Sequence, residues 1–170
     1  MVMAWLALVA SHVAFAAEIV HQSPQDFLDT ALPGCAQQVL WLKADVRAEV
    51  EAVLDHPFPG VRVRYCGLGD RTAWILDEVG KTEPITTGIV VSQGQVEQLR
   101  VLVFRESRGG EVHREAFTRQ YQEAGLDAGN RLDRNIDGIT GATLSVNAVN
   151  RQARLALLLD RIAGEQRRDG

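Results

Sequence analysis

The chain has 170 residues, 46% of them hydrophobic, and a formal net charge of -4. That is room for one domain with a short leader and a real core, which excludes a disordered chain. It has no basic run and no interleaving of aromatic with basic residues, so nucleic acid is not an expected partner.

Residues 1–17 contain no Asp, Glu, Lys or Arg and end in small residues, with Ala14-Phe15-Ala16 resembling a leader cleavage site. The stretch is short for a bilayer span, which needs about 20 apolar residues. It also lacks the positive start of a standard export signal. The expectation is a signal peptide or short anchor over 1–17, and the alternative is a buried N-terminal helix. Export, to the periplasm or an equivalent compartment, is the localisation this implies. A membrane association would run through the N-terminus. The organisation expected is then one domain over 18–164 and a charged, frayed tail over 165–170.

Ser23-Pro24 predicts a helix start, with Phe27, Leu28, Ala31 and Leu32 as its apolar side and Pro33-Gly34 as its stop. A second helix is expected from about Leu42 to Leu54, with Val46, Val50, Val53 and Leu54 inward. The period then changes. Val61, Val63 and Tyr65 alternate with Arg62 and Arg64 as in a half-buried strand. Thr72–Leu76, Ile85–Val91 and Val96–Phe104 read as three more strands, with Ser92-Gln93-Gly94-Gln95 as a hairpin turn. Short turns between consecutive strands predict an antiparallel meander. A third helix is expected over Arg114–Glu123, with Phe117 and Tyr121 as an i, i+4 pair. A polar loop, Gly125–Arg134, leads to the last helix. The fold class expected is therefore α+β: an antiparallel sheet with a helical N-terminal part and a long C-terminal helix.

That last helix opens at Asp137-Gly138-Ile139-Thr140-Gly141-Ala142-Thr143-Leu144-Ser145, a turn rich in glycine and hydroxyls. Asp137 and the threonines suit turns and caps, and Gly138 and Gly141 admit backbone conformations closed to other residues. Helix N-termini present unpaired N–H groups and partial positive charge, a natural phosphate site. Read from its residues alone, the stretch is either a capped helix or an anion site. The hydroxyl of Thr143 there could cap, bind a phosphate or be esterified by one.

Asp-Gly-Ile-Thr-Gly-Ala-Thr resembles the flavinylation motif of the FMN-binding domain family. Such domains occur in the sodium-pumping NADH:quinone oxidoreductase, in the Rnf electron-transfer complex and in small exported flavoproteins. Thr140 stands where Ser is more usual, and a single Ser145 follows where Thr-Ser is common; both changes keep a hydroxyl. The likeness extends through Arg71–Leu76, Gly80-Lys81, Ile85–Gly88, Glu106-Ser107-Arg108-Gly109 and on to Ala153-Arg154. It implies FMN joined to Thr143 by a phosphoester bond that a flavin transferase installs from FAD. It further implies Asp137, Gly138, Thr140, Gly141, Ala142 and Ser145 as motif residues. Glu106, Ser107 and Thr87 would lie near the flavin. The function implied is electron transfer, as a carrier or redox subunit rather than a stand-alone enzyme, with a membrane-bound redox partner. Two other readings stay open: a non-redox module binding a phosphorylated ligand, and an unflavinylated structural subunit of a membrane redox complex.

Other chemistry lacks its signature. Cys35 and Cys66 form no Cys-x-x-Cys, so neither a redox dithiol of that type nor c-type haem attachment is indicated. In an exported chain they could form one disulfide; spacing alone leaves that open. His12, His21, His56 and His113 show no metal-ligand spacing. No nucleophile elbow, Walker loop or dinucleotide fingerprint is present.

Overall fold

The computed structural model describes residues 18–169, so the expected leader over 1–17 lies outside the described residues. Six antiparallel strands form one sheet: β1 (Ile19–Val20), β2 (Ala36–Trp41), β3 (Arg62–Leu68), β4 (Arg71–Val79), β5 (Pro84–Ser92) and β6 (Gln95–Phe104). Their order is β1-β6-β5-β4-β3-β2. Four α-helices accompany them: α1 (Pro24–Ala31), α2 (Ala44–Leu54), α3 (Glu115–Thr118) and α4 (Thr143–Asp169). The expected α+β class is the observed one.

The period-2 pattern places alternate side chains of the central strands on opposite faces. Trp74, Leu76, Ile85, Ile89, Val91 and Leu99 face α4 and α2 in the larger core. Ala73, Val90, Leu102 and Val103 face α1 in the smaller one. Each large side chain buried this way contributes about 1.5–3 kcal/mol. Helix α1 lies close because Gly88 has no side chain: a Cβ there would stand 2.6 Å from the Phe27 ring. Ser23 caps α1 as its sequence predicts, its hydroxyl accepting from the Asp26 N–H at 3.1 Å.

The N-terminal part is less helical than expected, since it also supplies the two edge strands. Strand β2, Ala-Gln-Gln-Val-Leu-Trp, buries only Leu40, so it shows no alternation from which a strand could be read. The third helix starts where expected, with Arg114 as its extended N-cap after a 3-10 turn (Gly110–His113), but it is broken after one turn: α3 gives way to a second 3-10 turn (Arg119–Tyr121), which ends at Gln122, extended at ψ 134°. The Phe117–Tyr121 pair survives as an edge-to-face contact at 5.6 Å. Tyr121 also donates to Asn150 Oδ1 at 2.6 Å, tying this segment to α4. The charged tail expected to fray continues α4 to Asp169. A disulfide joins Cys35 to Cys66, with Cα atoms 5.5 Å apart.

At the far end of β4, Glu78 is buried and receives Arg151 Nε at 2.8 Å. His56 Nε2 meets the same carboxylate at 3.1 Å. Its Nδ1 faces the Pro57 carbonyl at 2.9 Å, so both ring nitrogens face acceptors and the imidazolium is favoured. The His56 pKa is raised: the Pro57 carbonyl acts most strongly, burial opposes it, and Glu78 raises it further.

Candidate functional site

The site forms where α4 begins, beside the turn from β4 to β5 and the loop leaving β6. The Ala142 N–H donates to the Ile139 carbonyl at 2.9 Å, and the first bond of the helix proper runs from Val146 N to Ala142 O at 2.9 Å. The N–H groups of Thr143, Leu144 and Ser145 therefore precede the helical ladder, with no carbonyl of their own helix to meet. Gly141 reverses the chain at φ +81°, a conformation a side chain would strain.

A groove of about 630 Å³ opens at this helix start, lined by Lys81, Glu106, Ser107, Arg108 and the run Gly141–Ser145. A second recess shares Ser107, Arg108 and Gly141 with it and adds Thr140 and His113. Lys81 and Arg108 are exposed and, among the described residues, stand in no ion pair. Two cations and a helix N-terminus thus face one space, which suits an anion.

The three candidate hydroxyls have different surroundings. Thr143 and Thr140 are exposed, whereas Ser145 is buried at 4% exposure. The 105–110 loop covers Ser145: a Cβ on Gly109, whose φ is +84°, would lie 2.5 Å from the Ser145 Oγ. Gly109 therefore permits both the turn and the close approach of that loop to α4.

Glu106 lines the groove, but its carboxylate is already engaged. Oε1 accepts from the backbone N–H of Lys81, from Thr82 at 2.6 Å and from Glu83 at 3.0 Å; Oε2 accepts from the Thr82 hydroxyl at 3.2 Å. Burial pushes this carboxyl up, yet the backbone donors and the Thr82 hydroxyl outweigh it and hold the pKa below the usual range. Glu106 is thus an anion that braces the 80–83 turn and with it the groove wall carrying Lys81.

The structure brings Thr143, Gly141, Ala142, Ser145, Glu106 and Ser107 to one groove, with Thr140 in the adjoining recess. Asp137 and Gly138 lie on the other side of the turn, in a shallow recess with Phe117, Gln120 and Ile139. Asp137 does not cap α4; its N–H donates to Gln120 Oε1 at 2.7 Å, which pins the motif to the broken third helix. Thr87 is fully buried in the sheet, away from the groove, and its hydroxyl has no partner among the described residues. Sequence reasoning does not single out Lys81 or Arg108 for the site, although both lie in stretches that resemble the family. A single cation in a turn has no sequence signature, and only the convergence of two turns on α4 brings them to Thr143.

Fold and site together define an α+β domain that brings a helix start, two cations and an exposed hydroxyl to one groove, a setting suited to an anion. Residues 80–158 match the family model of the FMN-binding domain, the family that the motif resembles. FMN is the cofactor such a domain binds. The matched segment begins at the 80–83 turn and takes in β5, β6, the groove loop, the motif and most of α4. Comparison with curated proteins found no match, and neither did comparison with solved structures.

Proposed function

We propose that this protein is an exported electron-transfer flavoprotein whose FMN is esterified through its phosphate to the Thr143 hydroxyl. The observation that carries the reading is the setting of Thr143. It is the exposed first residue of α4, at a groove where helix N–H groups, Lys81 and Arg108 converge. The residues fit the group. The helix start and the two cations would hold the phosphate, and Ser107 would add a hydroxyl at the rim. Glu106 would keep the 80–83 turn in place. FMN supplies one- and two-electron redox chemistry, and the chain's part is to hold and orient it. Burial of Ser145 argues against that residue as the acceptor and leaves Thr140 as the nearest rival.

The Cys35–Cys66 disulfide supports export, since such bonds persist in oxidising compartments. A flavin transferase acting on the exposed motif and a membrane-bound redox partner complete the proposal. The test is the protein exported from a flavinylating host. After denaturation and desalting it should retain one FMN-phosphoryl adduct, mapped by peptide fragmentation to Thr143. Thr143→Ala should lose it and Ser145→Ala should keep it. An adduct on Thr140 would move the attachment point. No adduct, from a host that flavinylates another target, would overturn the covalent reading.

A further inference from the structure

Strand β2 lies outside the family-matched segment and forms one edge of the sheet. It pairs with β3 in unbroken register from Ala36↔Gly67 to Trp41↔Arg62. The Leu42 N–H reaches the Val61 carbonyl at 2.9 Å, which sets the alternation of the ladder. Leu40 and Gln38 turn their backbone groups towards β3, while Gln37, Val39 and Trp41 turn theirs outward. Among the described residues one hydrogen bond reaches that outward side, from Gln166 Nε2 to the Trp41 carbonyl at 3.3 Å. The N–H and C=O groups of Gln37 and Val39 are left to solvent.

Free edges of this length are usually blunted by charge, proline or a bulge, because they template pairing with another chain. Strand β2 has six residues, Ala-Gln-Gln-Val-Leu-Trp, with no charge and no proline. Its ladder has no register shift. It is fastened as well as open: Cys35, the residue before β2, is bonded to Cys66, the register partner of Gln37. A strand held in this way loses little conformational freedom when a partner adds to it.

The side chains beside the edge indicate what would add. Val39 and Trp41 are 44% and 58% exposed. On the same sheet face their register partners are Arg64 and Arg62, both exposed. The Arg62 guanidinium lies 5.7 Å from the centre of the Trp41 ring, and neither arginine stands in an ion pair among the described residues. The ladder positions on this face are Gln37, Val39, Trp41, Arg62, Arg64 and Cys66, so it has two cations and no acid, in a chain whose net charge is -4.

We propose that β2 is a docking edge for an extended acidic segment of a partner protein, which adds to the sheet as a further strand. The backbone groups of Gln37 and Val39 would bind its main chain. The side chains of the added strand on the face of Val39 and Trp41 would be the acidic ones, reaching over β2 to Arg64 and Arg62, and the alternating apolar ones would lie on the opposite face beside Leu40. This reading does not rest on the flavin proposal, and the protein can be tested with or without flavin.

The probe is an acetylated heptapeptide alternating valine with glutamate; its valine–lysine counterpart is the control. Amide exchange by NMR and calorimetric titration are the readouts. The glutamate peptide should slow exchange of the Gln37 and Val39 amides and quench Trp41 fluorescence. Its affinity should fall at least about tenfold in Arg62→Glu/Arg64→Glu. Val39→Pro removes only an outward N–H and should also weaken binding. If that variant misfolds, the exchange data and the arginine variant still decide. Three results would overturn the proposal: no protection of Gln37 and Val39 by the glutamate peptide, equal binding of the lysine peptide, or protection without peptide that grows with protein concentration. The last would assign the edge to a second copy of this chain.

Discussion

Replacing Glu106 tests whether one carboxylate holds the groove wall. Its side chain is 8% exposed and serves three backbone N–H groups and one hydroxyl on the 80–83 turn. Hydrogen bonds to a charged group contribute about 1.5–3 kcal/mol each when their partner is lost in the interior. Lys81, Thr82 and Glu83 are themselves exposed, so water would replace part of that. A net loss of about 2–4 kcal/mol is expected for Glu106→Ala, a large share of the 5–15 kcal/mol typical of a domain. At about 2–4 °C per kcal/mol for a chain of this size, Tm should fall by about 5–15 °C. Glu106→Gln keeps an acceptor but not the charge, and should lose roughly half as much. The effect should also depend on pH. The folded pKa is depressed, so the charge's contribution is full above the unfolded carboxyl value near 4.3 and is lost as pH falls through the folded value. Thermal unfolding by circular dichroism from pH 2 to 7, for all three proteins, measures this. A Tm of Glu106→Ala within 2 °C of wild type, or a wild-type advantage over Glu106→Gln unchanged down to pH 2, would refute the brace.

Three further outcomes are expected. Removing the disulfide with Cys35→Ser/Cys66→Ser opens a loop whose ends are 31 residues apart; the chain-entropy estimate is about 3–4 kcal/mol, measurable by urea denaturation. Gly109→Ala should destabilise by about 1–3 kcal/mol, since its φ is positive and the new Cβ would meet Ser145; the double variant Gly109→Ala/Ser145→Gly should recover the steric part alone. The buried Asp160 carboxyl accepts from Thr72 at 2.7 Å, and burial, its leading influence, raises its pKa. Ionising it therefore costs stability above the unfolded carboxyl value near 3.9, so Asp160→Asn should be the more stable protein at pH 7 and lose that advantage below pH 4, as followed by chemical denaturation.

Much of this protein follows from local sequence. Ser23-Pro24 starts α1 because a hydroxyl and a ring with no N–H satisfy a helix terminus by themselves. Strands β3 to β6 are legible because each alternates or runs apolar between turn residues, and the turns are short enough to force antiparallel pairing. Glycine-spaced hydroxyls before an apolar helix mark Thr143 as the head of α4, and that motif is enough to point to the flavin family. Tertiary structure decided what depends on partners distant in the chain. Strand β2 is a strand because β3 offers it a ladder; Gln37 and Gln38 carry no period of their own. Whether Cys35 and Cys66 meet depends on that same pairing, since 31 residues of separation set no distance. The third helix tightens to a 3-10 turn after Thr118 and ends at Gln122, although its apolar spacing suits a continuous one. Among the site residues, the motif resemblance singles out Thr143, but residue chemistry alone does not separate it from Thr140 and Ser145. Packing of the Gly109 loop buries Ser145 and leaves Thr143 and Thr140 outside, while the sheet buries Thr87 altogether. Lys81 and Arg108 reach the groove only because Glu106 and Gly109 bring two turns against one helix start, and contacts of that kind leave no periodicity in a sequence.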